Sequence, residues 1–138
     1  MYLLDTDTLS ALHKDNPHVV ASVARADAKV ATTIITKIEI LRGRIEFVRK
    51  AATGDEVLRA QQWLNRSEEL LALLEIVPFD AAAAKLFDGL RSEPGLGKIG
   101  RADLLIASIA LAQRATLVTR NLRDFQAVPR LSVRNWMD

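Results

Sequence analysis

Short apolar runs alternate along the chain with longer segments whose apolar residues recur every three or four positions. That rhythm predicts strands separated by helices. Tyr2-Leu3-Leu4 is the first apolar run and reads as a strand that stops at Asp5; a short helix is expected from there to about His13. Asn16-Pro17 has the form of a helix start, with Asn as N-cap and Pro at the first helical position, and that helix is expected to run to about Ala26. The β-branched stretch Val30 to Ile35 predicts a second strand. Thr36 opens a helix to about Ala52, and Gly54-Asp55 breaks it. A longer helix follows from about Glu56 to Leu74, with Val57, Ala60, Leu64, Leu70, Leu71 and Leu74 as its apolar positions.

Ile76 to Phe79 predicts the third strand, and Asp80 caps a helix from Ala81 to about Arg91. Pro94, Gly95, Gly97 and Gly100 mark a flexible loop. A very apolar helix is expected from about Ala102 to Arg114, then strands at Thr116 to Thr119 and Leu131 to Arg134. There is no internal repeat and no linker long enough to divide the chain. The expected fold is α/β: one domain over residues 1–138, a central parallel sheet of about five strands, and helices on both faces. Ligands in such sheets bind beyond the carboxyl ends of the strands, and the chemistry is to be sought there.

Composition narrows the chemistry. The 138 residues are 49% hydrophobic and 26% charged, values that exclude disorder over the whole chain. Cysteine is absent, which excludes disulfides, thiolate zinc sites, iron–sulfur clusters and cysteine nucleophiles. His13 and His18 are the only histidines, and their spacing of five does not place them on one helical face. A metal would therefore be held by oxygen, which points to Mg²⁺, Mn²⁺ or Ca²⁺. No apolar run reaches the roughly 18–20 residues of a membrane span. Asp5 and Asp7 interrupt the N-terminal apolar run, so it does not read as a signal peptide, and a soluble, cytoplasmic protein is expected. The net charge is only +2. The basic residues cluster, however: Lys37, Arg42, Arg44, Arg49 and Lys50 stand against Glu39 and Glu46, and Arg114, Arg120, Arg123, Arg130 and Arg134 against Asp124. Solvated helix faces account for such runs as readily as nucleic-acid binding does.

Acidic residues recur at the predicted functional edge. Asp5 ends the first strand, with Asp7 two residues on. Glu39 lies one turn into the helix after the second strand, Asp103 opens the apolar helix, and Asp124 follows the fourth strand with Asn121 between. Structural explanations exist for several of them. Thr36-Lys37-Ile38-Glu39 fits a capping box. Asn121 fits an N-cap with Asp124 favoured by the helix dipole, and Asp103 fits a first-turn acid. Asp5 has no such explanation as a strand-end residue. Carboxylates converging in one cleft repel each other and raise their own pKa values, and a divalent cation removes that penalty. With arginine and lysine nearby, such a cluster suits metal-assisted phosphodiester hydrolysis.

Competing motifs are weaker. Gly95-Leu96-Gly97-Lys98-Ile99-Gly100 matches the dinucleotide-binding spacing, but a helix rather than a strand precedes it, so a hinge or gating loop beside Asp103 is expected instead. Asp5-Thr6-Asp7-Thr8 is similar to the nucleophile motif of haloacid-dehalogenase-like phosphatases, with Asp5 as nucleophile. Leu9 departs from that pattern, and Lys98 and Asp103 supply its later elements only loosely. A catalytically silent partner-binding module is a third reading. Trp63 fits either core or a partner interface, Phe125 fits an anchor for its turn, and the two histidines fit ordinary helix ends.

The ordered set of motifs nevertheless resembles one family over essentially the whole chain. Tyr2 to Ser10, Thr33 to Gly43 with Thr36, Glu39 and Gly43, Ile99 to Ala107 with Asp103, Leu117 to Asn121, and Asp124-Phe125 look like the successive motifs of PIN-domain proteins. The size and lack of appendages look like the VapC toxins of type II toxin–antitoxin pairs. The resemblance implies a Mg²⁺- or Mn²⁺-dependent endoribonuclease with a helix-flanked parallel sheet. It implies Asp5 and Asp103 as principal metal ligands, Glu39 and Asp124 as direct or water-mediated ligands, and Thr6, Thr119 and Asn121 as groups that orient them. Asp7 stands where the family often has Asn. Arg42, Arg101 and Arg120 are the candidates for binding flanking RNA phosphates. The resemblance further implies a homodimer and a small VapB-like antitoxin that covers the active site in a heterotetramer or larger assembly. The helix after Thr36 and the helix 56–74 are the candidates for the antitoxin groove.

Overall fold

Leu3 and Leu4 sit at the centre of the molecule, both fully buried, on opposite faces of one sheet. The computed structural model describes residues 1–138. Its five strands are β1 (Tyr2–Leu4), β2 (Val30–Thr33), β3 (Glu75–Val77), β4 (Thr116–Val118) and β5 (Ser132–Arg134). They form one all-parallel sheet in the order β3-β2-β1-β4-β5. Seven helices connect them: α1 (Thr6–His13), α2 (Pro17–Arg25), α3 (Ile34–Lys50), α4 (Gly54–Ala72), α5 (Ala81–Arg91), α6 (Arg101–Ala112) and α7 (Leu122–Phe125).

Side chains alternate across a strand, so each central strand feeds two cores. Leu3, Ala31 and Leu117 face a larger core built with α5, α6 and α7, including Ala83, Leu90, Ile106, Ile109 and Phe125. Leu4 and Val118 face a smaller one built with Leu9 of α1, Ile40 of α3 and Leu71 of α4. A strand buried on both faces reads as a continuous apolar run, which is why β1 and β4 carry no polar alternation. Helix α6 is apolar all round for the same reason: Leu104 to Ala110 are buried without interruption.

The helix ends obey local chemistry. Asn16 caps α2, accepting from His18 and Val19, with Pro17 first in the helix. Asp80 caps α5 through Ala83, and Thr53 caps α4 through Glu56. Several boundaries depart from the pattern-based ones. The β2 strand stops at Thr33 rather than Ile35, because Thr33 is already the N-cap of α3, accepting from the Thr36 amide at 3.1 Å. The capping box that Thr36 and Glu39 could have formed is therefore absent; Thr36 lies inside the first turn. Strand β3 covers Glu75–Val77 rather than Ile76 to Phe79, and α6 and β4 end slightly earlier than expected.

The Gly95–Gly100 segment follows α5, so the structure too denies it the strand a dinucleotide fingerprint needs. Gly95 adopts φ +90, a conformation that favours glycine. Leu96 and Ile99 are buried in the larger core. They anchor the segment in that core, while Gly95, Gly97, Lys98 and Gly100 are exposed.

Candidate active site

The order of strands creates the site. From β1 the chain moves outward to β2 and β3, then returns to the other side of β1 for β4 and β5. The crevice where such a sheet reverses direction lies at the carboxyl ends of the two strands flanking the reversal. Here those strands are β1 and β4, and their carboxyl ends deliver Asp5 and Thr119.

Asp5 is 6% exposed. Its backbone amide donates to Val118 across the crevice, 3.0 Å. Its Oδ1 accepts the Thr8 amide at 2.9 Å, so Asp5 is the N-cap of α1. The sequence offered Asp5 no capping role, because the start of α1 so close behind β1 has no separate signal. Burial pushes the Asp5 carboxyl above its ordinary pKa, while hydrogen bonds from Thr119 and Thr8 pull it down and the Asp7 charge raises it. The carboxylate is thus desolvated but met by donors.

Asp103 occupies the first turn of α6. Its pKa is raised to about 6, first by burial and then by repulsion from Asp5, Glu39, Asp124 and Asp7. The four acids singled out from the sequence, with Asp7 as a fifth, therefore act on one another around this carboxyl. No three acidic or histidine side chains close into a ready-made metal cage. The donor set is all oxygen and open, as suits a cation such as Mg²⁺ that keeps several waters and takes few carboxylates directly.

Glu39 reaches the site from α3. Its Oε1 accepts from the Thr6 hydroxyl at 2.5 Å. The Thr6 oxygen is also 3.3 Å from the hydroxyl of Thr36, which is 3.5 Å from that of Thr33. On the other side of Asp5, the Asn121 amide donates to the Thr119 hydroxyl at 3.0 Å, and Asn121 Nδ2 donates to Asp124 Oδ2 at 2.9 Å. Asn121 precedes α7 but makes no side-chain cap, so the capping alternative fails and its side chain instead orients Asp124. Thr6 and Asn121 each hold a carboxyl group by a hydrogen bond, and the Thr119 hydroxyl beside Asp5 lowers the pKa of its carboxyl.

Sequence reading did not single out Thr8 or Thr33 for this edge. The signal available was the Thr32-Thr33-Ile34-Ile35-Thr36 run at a strand-to-helix junction, whose polar members are all fully buried.

The basic candidates are exposed. Arg101 is the first residue of α6, Arg42 lies on α3 three residues beyond Glu39, and Arg120 follows Thr119. Arg120 also approaches Asp138 at 3.8 Å. It lines an open cleft of about 540 Å³ together with Asp7, Ser10, Lys14 and Asn16. Lys98, the candidate phosphatase lysine, is exposed in the turn before α6. Phe125 is buried and anchors α7, as expected.

A separate groove of about 880 Å³ lies between α3 and α4, away from the acids. Phe47 and Trp63 supply its apolar lining, and Glu46, Lys50, Glu56 and Arg59 its charges. The Arg44 guanidinium stacks 4.6 Å over the Trp63 ring, and its Nε donates to Ser67 at 3.1 Å. Beneath this hairpin His13 is 2% exposed, with neither ring nitrogen hydrogen-bonded. It ends α1, as expected, and is also a buried core residue.

Comparison with known proteins accords with this geometry. The chain is 41% identical over 81 residues to a Rickettsia felis protein named ribonuclease VapC2, a match covering 56% of this chain and 60% of that one. It is 25% identical over 138 residues to the tRNA(fMet)-specific endonuclease VapC of Salmonella typhimurium, covering 98% and 97%. The structure of VapBC2 from Rickettsia felis, bound to a promoter DNA fragment, superposes with a TM-score of 0.77 at 30% identity over 98% of both chains. No helix here is long and apolar enough to cross a membrane. The sequence profile of the PIN domain matches residues 2–131, and the chain belongs to the PIN-domain family.

Proposed function

We propose that residues 1–138 form one ribonuclease domain, the toxin of a type II toxin–antitoxin pair. Its acidic crevice hydrolyses RNA phosphodiester bonds with the help of Mg²⁺ or Mn²⁺. The observation that carries this reading is the Asp103 carboxyl, lifted to about 6 by burial and, beyond that, by repulsion from four neighbouring acids. Repulsion of that kind is a cost to folding that a bound cation relieves. An acid cluster kept at a sheet's switch point is better accounted for by such a cation than by capping.

Asp5 and Asp103 would be the principal ligands, with Glu39 and Asp124 ligating directly or through water. When bound, the cation neutralises phosphate charge and lowers the pKa of water. The chain's own groups do the rest. Thr119 and Thr8 hold the Asp5 carboxylate, Asn121 aims Asp124, and Thr6 aims Glu39. Arg42, Arg101 and Arg120 border the acids and would hold flanking phosphates. A shallow edge of this kind suits flexible single-stranded or loop RNA, as found in the cytoplasm.

The groove between α3 and α4 is the proposed seat of a small VapB-like antitoxin. Ile38, Ile45, Phe47, Val57 and Leu58 are exposed apolar residues on those two helices, and α3 also carries Glu39. A segment lying along α3 would therefore reach the crevice. A homodimer, becoming a heterotetramer or larger with antitoxin, is the proposed assembly.

The test is cleavage of a mixed RNA pool that includes transfer RNA, by purified protein in Mg²⁺, in Mn²⁺ and in EDTA, beside Asp5→Ala. Cuts that need the metal and vanish in the variant are expected. Cuts that persist in EDTA or in the variant would refute the assignment.

A further inference from the structure

Glu39 is the most exposed of the four proposed site acids and sits on a side chain with three rotatable torsions. A single hydroxyl, that of Thr6, holds it. Behind Thr6 stand two fully buried hydroxyls, Thr36 and Thr33, neither of which reaches the crevice. The count of protons gives these contacts a direction. A carboxylate oxygen only accepts, and each threonine hydroxyl has one proton. The Thr6 proton is therefore committed to Glu39. The Thr6 oxygen is left to accept from Thr36, 3.3 Å away. The Thr36 oxygen in turn accepts from Thr33, 3.5 Å away. The Thr33 oxygen accepts the Thr36 backbone amide at 3.1 Å, which ties the start of the chain to the first turn of α3.

We propose that Thr36 is a positioning residue for Glu39, acting through Thr6: three hydroxyls in series, anchored on the N-cap of α3, fix the direction of the Thr6 donor and with it the orientation of the Glu39 carboxylate. This rests on the reading of Glu39 as part of the nuclease site. Thr36 touches neither RNA nor metal, and its contribution is to leave Thr6 a single orientation. Removing the Thr36 hydroxyl frees Thr6 to rotate and Glu39 to swing into solvent, although no atom in the crevice has changed.

The experiment compares Thr36→Val, which keeps the shape and loses the hydroxyl, with Thr36→Ser, which keeps the hydroxyl, in the full chain. Mn²⁺ binding is read by electron paramagnetic resonance without RNA, and cleavage of the mixed RNA pool is read separately. The expected result is a loss of about five- to tenfold in both for Thr36→Val, the size of one hydrogen bond between neutral groups. Thr36→Ser should restore most of it. Placed on a Glu39→Ala background, Thr36→Val should weaken Mn²⁺ binding no further, which a merely structural role would not produce. Mn²⁺ binding by Thr36→Val as tight as in the parent, or an equal loss with and without Glu39, overturns the role of Thr36 and leaves the nuclease reading standing. A parent protein that neither binds Mn²⁺ nor cuts RNA overturns both.

Discussion

Leu4 and Val118 face each other in register in adjacent parallel strands, so the next residues, Asp5 and Thr119, leave the sheet at the same edge. The Asp5 amide closes the junction on the Val118 carbonyl at 3.0 Å, and the Thr8 hydroxyl reaches the same carbonyl at 3.2 Å. Two segments from opposite ends of the chain thus share one rigid corner. The carboxyl that the proposed chemistry depends on is built into it.

The gathering of acids around Asp103 has a cost that substitution should reveal. The Asp103 carboxyl is raised from 3.8 to about 6. The unfolded chain loses this proton near pH 4 and the folded chain holds it to near 6. Stability therefore declines as pH rises between those values and stays reduced above. Asp103→Asn removes the penalty. In metal-free buffer at pH 7.5 it should raise stability by about 1–2 kcal/mol and the melting temperature by several degrees, while abolishing RNA cleavage. An unchanged or lower melting temperature would mean that neither burial nor neighbouring charge penalises the ionised Asp103.

Metal should reverse the same penalty in the parent. Ligands that bind only the folded state stabilise it by mass action, by about 2.7 kcal/mol at a hundred times their dissociation constant. Millimolar Mn²⁺ should raise the parent's melting temperature, and EDTA should return it. Asp5→Ala and Asp103→Asn should both blunt the response. An equal response in all three proteins would place the cation elsewhere.

His13 predicts a second pH effect of opposite sign. Burial lowers its pKa to about 4, and the Arg44 and Arg66 charges add to the shift. Those arginines face it from α3 and α4, and Asp15 pairs with Arg66 at 3.2 Å. Below pH 6.5 the unfolded chain binds a proton that the folded chain refuses. Stability falls as the pH drops from about 6.5 to 4, by about 3 kcal/mol at most. Urea unfolding at pH 7, 5.5 and 4.5 should show the loss, and His13→Leu should flatten it. Parallel curves for the two proteins would assign the loss to other groups.

Phe47 tests the proposed antitoxin groove. It is 65% exposed, so Phe47→Asp removes little buried area and should change stability by less than about 0.5 kcal/mol. RNA cleavage should persist. Inhibition by the cognate antitoxin should weaken by at least tenfold, since a charge would then stand where an apolar anchor packs. Full inhibition of the variant would move the partner to another face.

Much of this protein is determined locally and is therefore legible in the chain. The apolar runs at Tyr2 to Leu4 and Thr116 to Val118, the caps Asn16 and Asp80, and the buried stretch Leu104 to Ala110 reflect short-range rules of burial and capping, which a linear sequence carries. Asp5, Glu39, Asp103 and Asp124 could be singled out as recurrent acids at strand ends and helix starts. The capping box that the Thr36-to-Glu39 spacing also allows does not form. The competing cap, Thr33, was hidden inside a β-branched run that strand propensity claimed first.

What only the tertiary structure decided is which of these groups meet. The strand order brings Asp5 beside Thr119 and draws Asp103, from a helix packed on one face, toward Glu39, from a helix packed on the other. The Asp103 shift, the unpartnered His13 and the Thr33–Thr36–Thr6 series ending on Glu39 all depend on desolvation and on distances between segments remote in the chain. Residue type and spacing fix what each group is able to do. Only packing removes the water and sets the ångström separations at which charges and hydroxyls act on one another.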